Sequence, residues 1–458
     1  MADRFDVIVV GARCAGSPLA RLLARQGLEV ALVERATFPK DTLSTHIFQG
    51  PAINFLKRLG VLDKVYETGA RPVTRLDGRH EELRYALDAP SGRATRGAHV
   101  GAALRARSDP ARPAASQAGA EVMMATTVTG LVRDGDRVAG VKATCHGQER
   151  ELRARLVVGT DGRNSTVAEL VGARKYNVIA GERFGYWGFF ADTEPGPDPA
   201  LVFHRWEGRF VIAMPTDDGL YEIIVLPDKR YLPEFKRDRE AAFLAHARVC
   251  EPVAKIIANG RRDGKLFGML KYECFFRESA GPGWALAGDA GHFKDPAPGQ
   301  GISDAFRQVG ALAPVIARMI AASDAELDLA VKAWSRWRDH DAAEHYWLAA
   351  DLGAPGPSPA VTVEILRRMQ RRDQLAALGD VIQHRAMPSK VFSPARLLAA
   401  AAARMTTPGV DRRQALREVK DLIVTDTRRR RLLTHPEFVS AAEHRDAGET
   451  EVPQELAA

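Results

Sequence analysis

Residues 7 to 34 spell one complete strand–turn–helix–strand pattern, and no other stretch limits the fold as tightly. Val7-Ile8-Val9-Val10 is a continuous β-branched run, the pattern of a strand buried on both faces. Gly11-Ala12-Arg13-Cys14-Ala15-Gly16 follows as a tight turn, and Leu19-Ala20-Arg21-Leu22-Leu23-Ala24-Arg25 as a helix that Gly27 ends. Val30-Ala31-Leu32-Val33 is the second strand and closes on Glu34. Two parallel strands joined by a helix belong to a doubly wound α/β sheet. Such a unit holds a phosphate at the helix N-terminus and a ribose hydroxyl on the acid. Arg13 stands where the second glycine of such a turn is expected, and its guanidinium can itself contact phosphate. Cys14 reads as a small packing residue of the turn.

Two later segments repeat the theme. Arg155-Leu156-Val157-Val158-Gly159 reads as a strand and Thr160-Asp161-Gly162 as a tight turn. Ser165 then caps a helix beginning at Val167. Further on, the short apolar strand Trp284-Ala285-Leu286-Ala287 enters a loop of glycine, proline and carboxylate from Gly288 to Gly301. The helix after it places Ile302, Phe306, Val309, Ala313 and Ile316 on one face. Pro314 predicts a kink or break near Gly310 to Pro314. Glycines on either side of Gln300 let backbone approach a ligand, and Pro296 and Pro298 stiffen the loop. The N–H groups of Gly299, Gly301 and Ile302 can stabilise negative charge, and Asp289 can accept a hydroxyl. Each loop alone could be an ordinary turn. Three in this order point to a polar, partly anionic ligand.

Composition narrows the class. The chain has 458 residues, 45% of them hydrophobic and 27% charged, enough for two or three well-cored domains. A net charge of +7 with arginine spread along the chain gives no nucleic-acid footprint. The four cysteines form no C-x-x-C pair, so no metal site or disulfide framework is expected. No apolar run is long enough to span a bilayer, and the N-terminus runs directly into a strand. A cytoplasmic protein with no membrane partner is therefore expected, as a monomer or homodimer.

Together the three loops resemble those of the class A flavoprotein monooxygenases, the group that includes para-hydroxybenzoate hydroxylase. A bacterial branch of that group shares Gly-Ala-Arg-Cys-Ala-Gly (residues 11 to 16) and Asp-Thr-Leu-Ser-Thr-His (residues 41 to 46). It also shares Lys-Asp-Pro followed by Gln-Gly-Ile-Ser-Asp-Ala-Phe, within residues 294 to 306. Arg13 is usual in that branch, and the likeness covers roughly residues 4 to 390. It implies an α/β fold: a Rossmann-like FAD-binding domain, an antiparallel-sheet substrate domain and a helical C-terminal region. It implies FAD as cofactor and NAD(P)H as transient reductant. Gly11, Arg13, Ala15, Gly16, Glu34, Arg35 and Val128 are then expected on the ADP half, and Asp161 near the pyrophosphate. Asp289, Pro296, Gly299, Gln300, Gly301 and Ile302 are expected at the ribityl chain and flavin ring. Ser44 is expected to touch the cofactor. His46 could carry protons near neutral pH, with a purely structural histidine as the alternative. His46 and Pro296 are the expected catalytic residues.

Between the second and third loops the pattern changes to alternating strands. Tyr186-Trp187-Gly188-Phe189-Phe190, Leu201-Val202-Phe203-His204-Arg205-Trp206, Arg209-Phe210-Val211-Ile212-Ala213-Met214 and Tyr221-Glu222-Ile223-Ile224-Val225 read as an antiparallel meander. Glu207-Gly208 and Asp217-Asp218-Gly219 read as its turns. In the resembling group such a sheet roofs the pocket over the flavin, which makes Trp187, Phe189, Phe203, Arg205 and Met214 the pocket candidates. Alternation alone leaves plain core packing open for each.

Residues 91 to 118 fit poorly. They are rich in Ala, Arg, Gly and Pro where the resembling group has an arginine-led amphipathic helix; Arg96 and Arg105 are the nearest equivalents of that arginine. The expectation is a stretch that has lost its ancestral reading and leaves one wall of the cleft loose. Beyond it, residues 330 to 350 read as a helix carrying Trp334, Trp337, Tyr346 and Trp347. Leu416, Val419, Leu422 and Ile423 sit at helical spacing ahead of Arg428-Arg429-Arg430-Arg431. Residues 441 to 458 read as a tail. The domain expectation is FAD-binding 1–175, substrate sheet 176–275, FAD-binding and helices 276–387, and a helical extension 388–458.

The expected reaction is oxygenation of a small aromatic substrate with NAD(P)H and O2, through a flavin C4a-hydroperoxide. Three alternatives stay open: a reductase of the geranylgeranyl type, a flavin halogenase and a degenerate flavin-binding protein without turnover. Against the halogenase, residues 210 to 215 lack both tryptophans of the Trp-x-Trp-x-Ile-Pro signature.

Overall fold

The computed structural model describes residues 3–38, 46–88, 102–103, 111–196, 199–409 and 411–439. Within these, one eight-stranded sheet carries all three loops. Its backbone runs Ala280–Gly281, Trp284–Leu286, Gln148–Gly159, Asp3–Val10, Val30–Val33, Glu121–Met123. Arg137–Cys145 branches off antiparallel to Gln148–Gly159, and Thr126–Asp134 pairs antiparallel with Arg137–Cys145 in turn. Asp3–Val10, Gln148–Gly159 and Trp284–Leu286 are parallel neighbours, with Val10 beside Gly159 and Gly159 beside Leu286. That register brings three turns far apart in the chain out at one edge of the sheet, where α/β folds bind ligands. Val7, Ile8 and Val9 are buried on both faces, as their sequence demands.

Two helices cover one face of this sheet. Gly16–Ala24 buries Leu19, Ala20 and Leu23. Gly301–Met319 buries Phe306, Val309, Leu312, Ala313 and Ile316, and Phe306 stacks on Phe55 with ring centroids 4.9 Å apart. The expected break at Pro314 does not occur, because the helix runs through it. An interior proline costs about 3 kcal/mol. Burial of each large apolar side chain around it contributes roughly 1.5–3 kcal/mol, so packing on both sides holds the helix together.

The second sheet has seven strands among the described residues, in the order Arg261–Met269, Gly185–Ala191, Tyr221–Val225, Arg209–Pro215, Ala200–Trp206, Arg75–His80, Leu83–Asp88. The four strands read from sequence are present. Their turns have the left-handed backbone a tight hairpin requires: Glu207 and Gly208 at φ +48 and +79, Asp218 and Gly219 at φ +54 and +70. The meander needs correction: Gly185–Ala191 pairs with Tyr221–Val225 and not with Ala200–Trp206. Ala200–Trp206 pairs in parallel with Arg75–His80, a strand that precedes the second loop in sequence. Local alternation carries no information about so distant a partner.

Helices close the molecule. Asp324–Gly353 begins with a Ser323/Glu326 capping box, and Trp334 donates its indole N–H to the Gln308 carbonyl at 3.2 Å. Trp337 is exposed. In Arg412–Thr434, Val419 and Leu422 pack inward while Leu416 and Ile423 face solvent. Of the poorly fitting stretch, residues 111–117 form a helix whose Ala114 and Ala115 are fully buried in the main core. That end is packed, because small alanines allow close approach to Gly16–Ala24; residues 91–101 and 104–110, and with them the expectation of a loose wall, lie outside the described residues. Arg96, Arg105 and Ser44 lie outside the described residues, as does the tail 441–458. Among the described residues no helix is long and apolar enough to cross a membrane, and no cluster of three metal-ligating side chains occurs.

Candidate functional site

Where the three loops emerge, they line an elongated cleft of about 650 Å³ running from Glu34 to Trp187. Gly11, Arg13, Ala15, Glu34, Arg35, Val128, Asp161, Asp289, Pro296, Gly299, Gly301, Ile302 and His46 all line it, as does Trp187.

At one end the wall is mostly backbone. Gly11 has φ +100, and a Cβ there would sit 2.7 Å from the Thr160 carbonyl oxygen, so the crossing of the first two turns admits only glycine. Glu34 is buried, and its carboxylate accepts N–H bonds from Ala12 at 2.8 Å and Ala36 at 2.9 Å. These two bonds hold the acid at the mouth of the first turn with lone pairs to spare. Arg13 and Arg112 lie over the Phe38 ring, at 5.1 and 4.2 Å from its centroid. Asp161 binds the Ser165 hydroxyl at 2.6 Å and the Val167 N–H at 3.2 Å, which fixes its turn. Burial raises its pKa, against those hydrogen bonds.

The other end is built of side chains. Asp289 projects into the cleft, and its carboxylate makes no hydrogen bond with any described residue. Loss of water and the nearby Asp304 push its pKa up to about 6. Arg163 faces it, its cation disfavoured by burial and supported by Asp289. His46 has φ +51, an uncommon backbone for histidine, and its Nδ1 is 3.0 Å from Oε1 of the fully buried Glu222. Burial raises the Glu222 carboxyl, and His46 opposes that rise. Trp187, Met269, Phe293 and Pro296 supply the apolar surface beside His46.

Charge is also buried behind the third loop. Lys294 Nζ lies 2.8 Å from Asp304 Oδ2 and donates to Gln300 Oε1 at 2.8 Å. Burial alone would raise the Asp304 carboxyl, but Lys294 and His384 hold it well below the ordinary carboxylate range. Asp295 accepts from the Tyr272 hydroxyl at 2.7 Å and the Ala297 N–H at 3.0 Å, and burial pushes it up to about 6.

Six expected contacts do not line the cleft. The Gln300 side chain points away and donates to the Val381 and Ile382 carbonyls at 3.0 and 2.9 Å. Gly16 serves packing, since a Cβ there would meet the Gly11 carbonyl oxygen at 1.8 Å. Phe203 and Met214 lie in the core between the second sheet and the C-terminal helices. Phe189 is buried behind His46, with ring centroids 5.6 Å apart. Arg205 is buried as a clamp, paired with Glu81 at 3.0 Å and donating to the carbonyls of Leu352, Ala354 and Gly356. Strand alternation identified an inward face but not which part of it meets the cleft.

Sequence reasoning missed Glu222, Arg163, Lys294 and Asp304. Arg163 had a local signal, two residues after Asp161 in the same turn. Glu222 had only its oddity, a carboxylate inside an apolar strand, which is costly unless paired.

Comparison with known proteins agrees with this geometry. A family model described as FAD binding domain matches residues 4–333. Among relatives, a digeranylgeranylglycerophospholipid reductase from Methanosarcina acetivorans is 27% identical over 360 residues, 74% of this chain and 82% of that protein. The 6-methylpretetramide 4-monooxygenase of Streptomyces rimosus is 28% identical over 326 residues, 68% of this chain and 75% of that protein. Among solved structures, a flavin-dependent brominase superimposes with a TM-score of 0.69 at 18% identity, covering 87% of this chain and 99% of its own.

Proposed function

The chain belongs to the FAD-binding domain family and is an FAD-dependent oxidoreductase; from that premise we propose that it is a monooxygenase, using NAD(P)H and O2 to oxygenate a small aromatic substrate. The cleft suits FAD on three observations. Glu34 is held at the end of the second strand. The Asp289 carboxylate faces the cleft with no bond from a described residue. A Cβ at Gly301 would meet open space, so ligand can approach that backbone.

When bound, FAD supplies the electron transfer and oxygen activation; the protein supplies position and electrostatics. Gly11, Arg13, Ala15, Glu34, Arg35 and Val128 hold the ADP half. Asp161 fixes the turn beside the pyrophosphate. Asp289, with its raised pKa, accepts ribityl hydroxyls, which lowers its cost of ionisation. Gly299, Gly301 and Ile302 present a helix N-terminus that favours negative charge on the ring. Pro296 stiffens the loop beside it. Trp187, Met269 and Phe293 exclude water and stack an aromatic ring. His46, oriented through Nδ1 by Glu222, gives or takes a substrate proton.

One observation carries this reading: a dinucleotide-type end and an apolar, aromatic end with an oriented histidine share one cleft. The test is NAD(P)H oxidation coupled to O2 uptake with aromatic candidates, followed by mass analysis of product formed under ¹⁸O2. Label in the product is expected; NAD(P)H consumption yielding only hydrogen peroxide with every candidate would contradict it. A reductase is the second reading, supported by the likeness to the archaeal lipid reductase. It predicts saturation of an isoprenoid double bond without O2.

A further inference from the structure

Three buried histidines gather around the Lys294–Asp304 pair behind the third loop. His292 lies on the loop, His345 on the helix Asp324–Gly353, and His384 just beyond the helix Ala376–Ile382. His384 Nδ1 is 3.0 Å from Asp304 Oδ1, and its ring lies against His345 with centroids 3.8 Å apart. Both ring nitrogens of His292 and His345, and Nε2 of His384, make no hydrogen bond with any described residue. His384 also holds φ +57. Buried imidazoles short of partners, one of them in a left-handed backbone, are costly as filler, since an apolar ring would pack there without desolvation. The cost is understandable for a group that changes charge.

The surroundings are poised for that change. Lys294 and Asp304 line the cleft and touch the cluster. The other charged groups acting on these residues are Arg307, Arg338 and Asp341, and Asp289 is coupled to Lys294 and Asp304. Burial holds His384 toward the neutral form and Asp304 pulls the other way. New negative charge in the cleft adds to the pull of Asp304.

We propose that His384, acting through Asp304 and Lys294, binds one solvent proton when the flavin in the cleft is reduced. The balance is simple. A hydride from NAD(P)H carries two electrons and one proton and adds one net negative charge to the cleft. One solvent proton converts the His384 imidazole to imidazolium, so the net charge of the buried region is unchanged. Reoxidation returns that proton to solvent. His384 is a positioning residue in this scheme, since Asp304 and Lys294 stand between it and the cleft. The proposal rests on FAD occupying the cleft and not on the fate of O2.

The test is the midpoint potential of the bound flavin in the full-length holoprotein from about pH 5.5 to about 9, read with redox dyes. Wild type is expected to take up two protons per two electrons around neutral pH and one at high pH, so the potential–pH slope halves across the range. His384→Asn, which tolerates a left-handed backbone, is expected to show the one-proton slope throughout, as is His384→Gln. The absorption spectrum of the reduced state, which reports protonation of the ring itself, is expected to stay constant with pH. A one-proton slope in wild type overturns the proposal, so loss of flavin by a variant does not shield it. An unaltered slope in the variants, or a reduced spectrum that titrates with the slope, overturns it as well. A protein that retains no FAD fails earlier, by lacking the visible band, and defeats the reading on which the proposal rests.

Discussion

At the Glu34 end of the cleft, the wall is mostly backbone N–H groups and glycines, with Glu34 and Asp161 pinned by hydrogen bonds and Arg13 and Arg35 beside them, on strands that neighbour one another in the sheet. At the His46 end the ligand-facing groups are ionisable side chains drawn from distant segments, His46, Arg163, Lys294 and Asp304, with the buried Glu222 behind His46. The first kind of construction tolerates almost no change of backbone, and its acids are pinned. The second is indifferent to small steric changes but sensitive to any change of charge. A cofactor's constant half suits the first, and a reacting centre suits the second.

That contrast can be broken by mutation. The largest effect is expected from Gly11→Ala, whose Cβ would collide with the Thr160 carbonyl in a left-handed backbone. FAD retained through desalting should fall to background, read as the ratio of flavin to protein absorbance; normal retention would show that the backbone end is not rigid. Lys294→Met leaves the buried Asp304 carboxylate with His384 alone. A loss of about 3–5 kcal/mol in denaturant unfolding is expected, and a loss below about 1 kcal/mol would mean the pair is not desolvated.

His46→Asn keeps the left-handed backbone feasible and removes the proton carrier. Turnover should drop by roughly 10²–10⁴ with FAD retention unchanged, and Glu222→Gln, which removes the carboxylate that orients His46 through Nδ1, should slow turnover as well. Loss of FAD together with activity would return His46 to a structural role. The smallest effect concerns Asp289. Its carboxyl titrates at about 6 in the fold against an ordinary 3.8, so the fold holds this proton more tightly than the unfolded chain. The stability it contributes is complete below pH 3.8 and is lost as pH rises through 6. Asp289→Asn should therefore stabilise the FAD-free protein at pH 8 and change it little at pH 4. Equal effects at both pH values in paired denaturant melts would contradict the assignment.

The same contrast explains what could be read in advance. Val7 to Glu34 is legible because turn, helix and strand lie consecutively and each residue answers to a local rule. Ser165 as a cap, and Glu207-Gly208 as a hairpin turn, are legible for the same reason. Glu222 is not, because its partner His46 lies on the far side of the chain's first half and pairing is decided by tertiary packing. Phe203, Met214 and Arg205 show the converse. Their type and alternation suit a pocket wall, yet the C-terminal helices cover that part of the sheet, and the length of those helices carries no hint of where they dock. Gln300 sits between two ligand-approaching glycines, but a carbonyl pair at Val381 and Ile382 claims its amide.

The central claim is that this cleft holds FAD, and the visible spectrum of the purified protein before and after incubation with excess FAD tests it most directly. A flavin band that survives desalting at about one equivalent per chain is the predicted result. A protein that retains no flavin after reconstitution would contradict the account.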